Sequence, residues 1–171
     1  MDKLIYEELV LLNKTAFVAK VREISERLGI NPNWLMFLIH FETAGTMSHT
    51  IVNKIGATGL IQFMPKTAIG LGTTTAALRQ MTNVEQLEYV YKYLLPYKRH
   101  YHRLIDLYLA IFYPVALGRG ADYVITSDAV AKANPIFDLN KDLDISIKEI
   151  ETVIYGRIPK AWYNELTKKK A

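Results

Sequence analysis

The sequence predicts an all-α protein. Apolar residues recur at helical spacing in several segments, Gly and Pro stand where those segments should start or stop, and no stretch alternates apolar and polar residues as a half-buried strand would.

Taken in order, Thr15 to Leu28 is the first clear helix: Phe17, Val21, Ile24 and Leu28 fall at i, i+4, i+7 and i+11 on one face. Gly29 follows in the position where a left-handed residue closes a helix. Asn31-Pro32 opens the second helix, with Asn as cap and Pro at the first helical position. Trp34 to Phe41 is almost wholly apolar, so this helix should be buried; it ends near Glu42, with Gly45 beyond. Residues 43–58 read as irregular backbone around Gly45, Asn53 and Gly56. A helix is expected to begin near Gly59 or Leu60 and to break at Pro65, and the Gly- and Thr-rich run 69–78 reads as a loop. From Val84, Leu87, Val90 and Leu94 share a face until Pro96 ends the helix. His102 to Tyr113 is another, with Leu104, Ile105, Tyr108 and Phe112 as its apolar side and Pro114 and Gly118 closing it. Ile147 to Ile154 is a short helix near the C-terminus. There is no internal repeat.

The 171 residues suit a single domain, 1–171, with 134–171 as a C-terminal appendage. Half of the residues are hydrophobic and 22% are charged, enough for a core that needs no staples. The absence of cysteine excludes disulfides and thiolate metal sites and leaves the compartment open. The net charge of +4 suits an anionic partner, and equally a mildly basic soluble protein. Lys160, Lys168, Lys169 and Lys170 read as a solvated tail. Asp2, Glu7 and Glu8 interrupt the apolar residues of the N-terminus, so no signal peptide is expected, and no apolar run reaches the ~18 residues of a membrane span.

Glu42 is the residue with chemical promise. A carboxyl at the end of an apolar helix loses hydration, which disfavours its charged form and raises its pKa. A glutamic acid so raised can donate a proton near neutral pH. The alternative is a helix-end glutamate that reaches water, the commoner fate of this residue type.

After Glu42-Thr43 and a short loop comes Gly56-Ala57-Thr58-Gly59-Leu60-Ile61-Gln62-Phe63-Met64-Pro65-Lys66-Thr67-Ala68. Here the chain resembles the lysozyme-fold lytic transglycosylases, the soluble type related to goose-type lysozyme. That family carries a helix-terminal glutamate followed by Ser or Thr, then G-A-x-G-L-x-Q-x-x-P-x-T-A at about this distance. The resemblance covers about residues 30 to 70. It implies a lysozyme-like helical domain with an active-site groove, Glu42 as catalyst, and substrate contacts from Thr43, Gly59, Gln62 and Phe63. Independently of the family, Gly56 and Gly59 permit tight turns and close approach, and the Gln62 amide can both donate to and accept from a sugar or its acetamido group. Leu60 and Phe63 are expected to pack beneath the site.

Farther on the pattern departs. The family has Ala-Tyr-Asn-Ala-Gly at the end of a later helix; this chain has Leu109-Ala110-Ile111-Phe112-Tyr113-Pro114-Val115-Ala116-Leu117-Gly118. The asparagine has no counterpart, and Tyr113 is the candidate to supply ring and hydroxyl. This variant looks like the transglycosylase domains of phages and prophages.

Glycosidases that use water or a covalent intermediate need two carboxyls. From Arg27 to Val84 the only acidic residue is Glu42. A second would have to come from farther along the chain, such as Glu85, Glu88 or Asp106. A lone glutamate fits the family's lyase route, which cuts the β-1,4 bond between N-acetylmuramic acid and N-acetylglucosamine and leaves anhydromuramyl ends. A lysozyme-type hydrolase on the same fold remains open, as does a non-catalytic wall-binding or virion module. The resemblance further implies peptidoglycan glycan strands as partner, phage virion or lysis components as further partners, no nucleic acid, a monomer, and action at the cell wall after delivery by a route other than a signal peptide.

The tyrosines between Tyr89 and Tyr113 are able to stack on sugars; at helical spacing, Tyr89 with Tyr93 and Tyr97 with Tyr101 read more readily as packing residues. Trp34 reads as core and Trp162 as an anchor for the C-terminal tail. His40, His49, His100 and His102 form no metal motif, and no cofactor is expected for catalysis. Residues 138–149 place Asp138, Asn140, Asp142, Asp144, Ser146 and Glu149 at positions 1, 3, 5, 7, 9 and 12 of an EF-hand-type loop, a candidate for structural calcium. Leu143 stands where that loop needs glycine. The competing reading is a capping box, Ser146-x-x-Glu149, that starts the last helix.

Overall fold

The computed structural model describes residues 2–125 and 128–169. The chain divides into two compact units, Met1–Tyr101 and His102–Ala171. The expected division at residue 134 falls inside the second unit. The reason is aromatic packing: Tyr108 and Phe112 stack on each other and both meet Phe137, which ties residues on either side of 134 together.

The first unit holds α1 (Lys14–Leu28), α2 (Pro32–Glu42), α3 (Pro65–Gly70), α4 (Thr75–Gln80) and α5 (Asn83–Leu94), followed by a 3-10 turn at Leu95–His100. The apolar face of α1 is buried at Phe17, Val21, Ile24 and Leu28, and α1 packs against α2 and α5. Gly29 closes α1 in the left-handed conformation at φ 68°. Asn31 caps α2: its side chain accepts the Asn33 N–H at 2.9 Å, and Pro32 occupies the first turn. Every residue from Asn33 to Ile39 is buried, Trp34 included, as a helix apolar on all sides requires. The N-terminal segment adds Leu4, Ile5 and Val10 to the core, and the Ile5 N–H donates to Asn33 Oδ1 at 2.9 Å. Thr82 and Glu85 form a capping box at the start of α5.

Two local expectations are corrected. No helix begins at Gly59 or Leu60. That stretch is a turn held by bridges between Val52 and Thr58 and between Thr58 and Phe63, and Pro65 starts α3 rather than breaking a helix. Gly59 at φ 82° and Gln62 at φ 52° are left-handed, which no α-helix tolerates, whereas Pro is well suited to a first turn. The run 69–78 is likewise only partly loop, because Thr74 caps α4 by accepting the Ala77 N–H at 3.0 Å.

The second unit contains α6 (Leu104–Phe112), β1 (Val124–Ile125), α7 (Asp128–Ala133), β2 (Ile145–Ser146), α8 (Ile147–Gly156) and α9 (Tyr163–Leu166). β1 and β2 pair antiparallel, with Val124 opposite Ser146 and Ile125 opposite Ile145. The all-helical expectation did not include this pair, which is too short to show as an alternating pattern. The fold class is nonetheless mostly helical. Lys160, Lys168 and Lys169 are exposed, as a solvated tail would be; Lys170 lies outside the described residues. Trp162 is half-buried in a 3-10 turn before α9. Among the described residues, no helix is long and apolar enough to cross a membrane.

Candidate active site

Glu42 is the last residue of α2. Part of the residue reaches the surface, yet burial of its carboxyl pushes the pKa up to about 7 from an ordinary 4.5. Its place at the negative end of the helix dipole acts in the same direction. Among the described residues, its carboxyl takes no hydrogen bond or ion pair that would favour the charged form. A carboxyl so placed is close to half protonated at neutral pH, able to give a proton and to take one back.

Tyr93, on α5, lies close enough to Glu42 to feel its charge. Burial first, then Tyr97 and Glu42, push the Tyr93 phenol up to about 12. Its ring meets the edge of Phe63 with centroids 6.4 Å apart and adjoins Tyr97. Tyr101 is fully buried, with its hydroxyl donating to the Leu94 carbonyl at 2.8 Å, which makes it a packing residue.

Thr43 is completely buried. Its hydroxyl donates to the Ile39 carbonyl at 2.7 Å and accepts the Met47 N–H at 3.0 Å, while its own carbonyl accepts from the Thr46 hydroxyl at 2.8 Å. The expected substrate contact is thus already engaged: Thr43 turns the chain out of α2 and holds the start of the loop. Left-handed Ala44, Gly45 and Met47 complete that turn. Beside it a cavity of about 340 Å³ is lined in part by Leu12, Thr46, Met47, His49 and Asn83.

The motif segment is built around the peptide that joins Gly59 to Leu60. The Gly59 N–H donates to the Ile51 carbonyl at 2.9 Å, and the Gly59 carbonyl accepts both the Gln62 N–H and Gln62 Nε2, each at 3.1 Å. Gln62 is half-buried, its amide nitrogen turned onto this turn and, at 3.5 Å, toward the Ile51 carbonyl. Phe63 is 2% exposed and Leu60 fully buried; both pack beneath the turn, so Phe63 is not offered to a ligand as a free face. Gly59 is glycine for two reasons. Its φ is 82°, and a Cβ there would stand 2.3 Å from Gln86 Oε1.

Gln86, absent from the sequence expectations, is the polar centre of this arrangement. It is fully buried on α5. Oε1 accepts the Leu60 N–H at 2.7 Å, and Nε2 donates to the His49 carbonyl at 2.9 Å and the Leu78 carbonyl at 3.0 Å. Nearby Asn83 donates to the Leu12 carbonyl at 2.7 Å and accepts from Asn13 at 3.1 Å. The signal available in the sequence was weak: Asn83 and Gln86, spaced i, i+3, stand on the face of α5 that Leu87 and Val90 mark as core.

The candidate second carboxylates are engaged elsewhere. Glu85 closes the capping box and Glu88 pairs with Lys20. Asp106 is buried, accepting the His102 and Arg103 N–H groups at 3.0 and 2.8 Å and pairing with Arg103. Tyr113 caps the C-terminus of α6 in the second unit and is half-buried there.

In the second unit the loop 138–149 closes on itself. Asp138 accepts the Asp142 and Leu143 N–H groups, Asn140 and Asp142 bond each other, and Asp142 accepts the Asp144 N–H. Glu149 accepts the Leu139 N–H and closes the capping box with Ser146. Leu143 takes the left-handed conformation, φ 69°, that the loop pattern reserves for glycine. Among the described residues, no group of three or more His, Asp or Glu side chains converges as a metal ligand set. The capping-box reading accounts for Ser146 and Glu149 as they stand.

No family model, no curated protein and no solved structure matches this chain.

Proposed function

We propose that this protein is a peptidoglycan lytic transglycosylase of lysozyme-like fold, of the phage or prophage type, with Glu42 as its single acid–base catalyst. The observation that carries the reading is the desolvated carboxyl at the end of α2, raised to about 7, standing ahead of the Gly56–Ala68 motif.

The chemistry follows from one group used twice. Protonated Glu42 gives its proton to the oxygen bridging N-acetylmuramic acid and N-acetylglucosamine, and the C1–O bond breaks. The resulting carboxylate takes the proton of the muramyl C6 hydroxyl as that oxygen bonds to C1. The product is an anhydromuramyl end, water is not consumed, and Glu42 returns to its starting state. Engagement of Glu85, Glu88 and Asp106 favours this route over hydrolysis, which needs a second free carboxylate. Gln62, half-buried at the turn, is the substrate-contacting amide in this reading. The partner is the glycan strand of the cell wall, reached by the monomeric protein through virion or lysis delivery.

Purified protein should release muropeptides with anhydro ends from peptidoglycan, identified by mass. E42Q should lower that rate by about 10²–10⁴-fold, the usual weight of general acid–base catalysis. Undiminished cleavage by E42Q rejects the assignment, and reducing ends in place of anhydro ends turn it into a hydrolase.

A further inference from the structure

We infer that Gln86 is a positioning residue for glycan cleavage, its buried amide fixing the orientation of the peptide unit that takes the shorter of the two Gln62 side-chain hydrogen bonds, at 3.1 Å against 3.5 Å to the Ile51 carbonyl. The inference rests on the proposed cleavage reaction and adds to it a residue outside the motif.

The geometry runs through a single rigid plane. The Gly59 carbonyl and the Leu60 N–H belong to the same peptide group, whose atoms cannot turn independently. Gln86 Oε1 holds that group by its N–H at 2.7 Å. Gln62 holds it by its C=O, through both backbone N–H and side-chain Nε2 at 3.1 Å. Rotating the plane away from Gln86 would therefore carry the Gln62 amide with it.

Gln86 is itself fixed. Its two amide hydrogens meet the carbonyls of His49 and Leu78, at 2.9 and 3.0 Å, so its oxygen and nitrogen have only one arrangement that pairs every group. The His49 carbonyl belongs to the loop that leaves Glu42, and Leu78 belongs to α4. One side chain thus joins three segments, one of which carries the motif. Gly59 lacks a side chain where Gln86 arrives, a Cβ there standing 2.3 Å from Oε1, so the turn and the amide are fitted to each other.

Gln86→Met keeps the volume and removes all three hydrogen bonds, and the test is a double-mutant cycle with Gln62→Ala, read as kcat/KM on peptidoglycan for variants that melt cooperatively. Q86M should lower kcat/KM by about tenfold or more in the native background, and by less than about twofold when Gln62 is already Ala, the mark of two residues acting through one contact. An equal loss in both backgrounds makes Gln86 a general structural residue and overturns the inference; so does an unchanged kcat/KM in Q86M or in Q62A alone. If Q86M does not fold, Q86E gives the second reading. Its protonated acid can donate to one carbonyl, whereas its carboxylate faces two carbonyl oxygens, so its activity should fall with rising pH well before that of the native protein. A Q86E profile that parallels the native one, or a Q86E that also fails to fold, overturns the inference. A native protein that releases no muropeptide refutes the cleavage reading itself, before any variant is compared, and the role of Gln86 falls with it.

Discussion

Two stretches of this chain gather polar side chains along irregular backbone, residues 42–63 in the first unit and 138–149 in the second. They use those side chains in opposite ways. In the second unit, the Asp138, Asp142 and Glu149 carboxylates each accept hydrogen bonds from the loop's own backbone, in a mostly exposed setting. In the first, the bonds that hold the loop come from buried neutral groups, Thr43 and Gln86, and the one carboxyl is left desolvated and without a hydrogen-bonding partner among the described residues. A carboxylate satisfied by backbone donors holds a fold together. One deprived of water and of partners has proton chemistry to offer, at a cost in stability.

The comparison extends to backbone. Both stretches bend through left-handed residues, but the first uses glycine at Gly45, Gly56 and Gly59 beside Ala44, Met47 and Gln62, whereas the second has only Lys141 and Leu143 among its described residues. Gly59→Ala should therefore have the largest effect on stability, on the order of 4 kcal/mol, because left-handed strain is joined by overpacking against a Gln86 amide that three hydrogen bonds keep from moving. Urea denaturation measures it; a loss below about 1 kcal/mol would mean that the turn and Gln86 are not tightly fitted.

Next comes the stability cost of Glu42. The folded protein keeps this proton to about pH 7, whereas the unfolded chain loses it near 4.5. Below the lower value both states are protonated and the group costs nothing. The penalty grows as pH rises between the two and is complete above the higher, reaching about 3 kcal/mol at most for the full shift, less for whatever solvent reaches the carboxyl. E42Q should consequently be the more stable protein at about pH 8, with the advantage gone by about pH 4. A pH-independent difference between the two would refute the raised pKa.

Thr43→Val tests the buried scaffold. It strands the Met47 N–H and should cost about 2 kcal/mol, against less than about 0.5 for Asp142→Ala in the exposed loop. Equal costs would erase the contrast between the two stretches. One effect in the second stretch has the opposite sign. Leu143→Gly should stabilise by up to about 1 kcal/mol, since it relieves the left-handed strain of a side chain that is 38% exposed. A destabilised variant would show that Leu143 contributes packing instead.

The helices that carry the site were legible because their signals are local. The apolar face of α1, the Asn31-Pro32 start of α2 and the leucines of α5 each declare a helix within a dozen residues, and Glu42 declares itself by following an apolar run. What escaped is long-range. Pro65 starts a helix because Gln62 is left-handed, a conformation imposed by contacts with Gly59 and Ile51. The role of Gly59 depends on Gln86, 27 positions later, and nothing local distinguishes that glutamine from a surface amide. That Thr43 faces inward is likewise not legible, because a motif marks which residues matter without saying which of them are buried. The pairing of β1 with β2 joins segments 20 residues apart over two residues each, too little for any periodicity to register.

The proton held by Glu42 is the point on which the chemistry turns, and it can be observed directly. In protein labelled with carbon-13 at glutamate side chains, the resonance assigned by its loss in E42Q should titrate with a midpoint near 7. A midpoint at the ordinary glutamate value, near 4.5, would contradict a carboxyl able to donate a proton to the glycosidic oxygen.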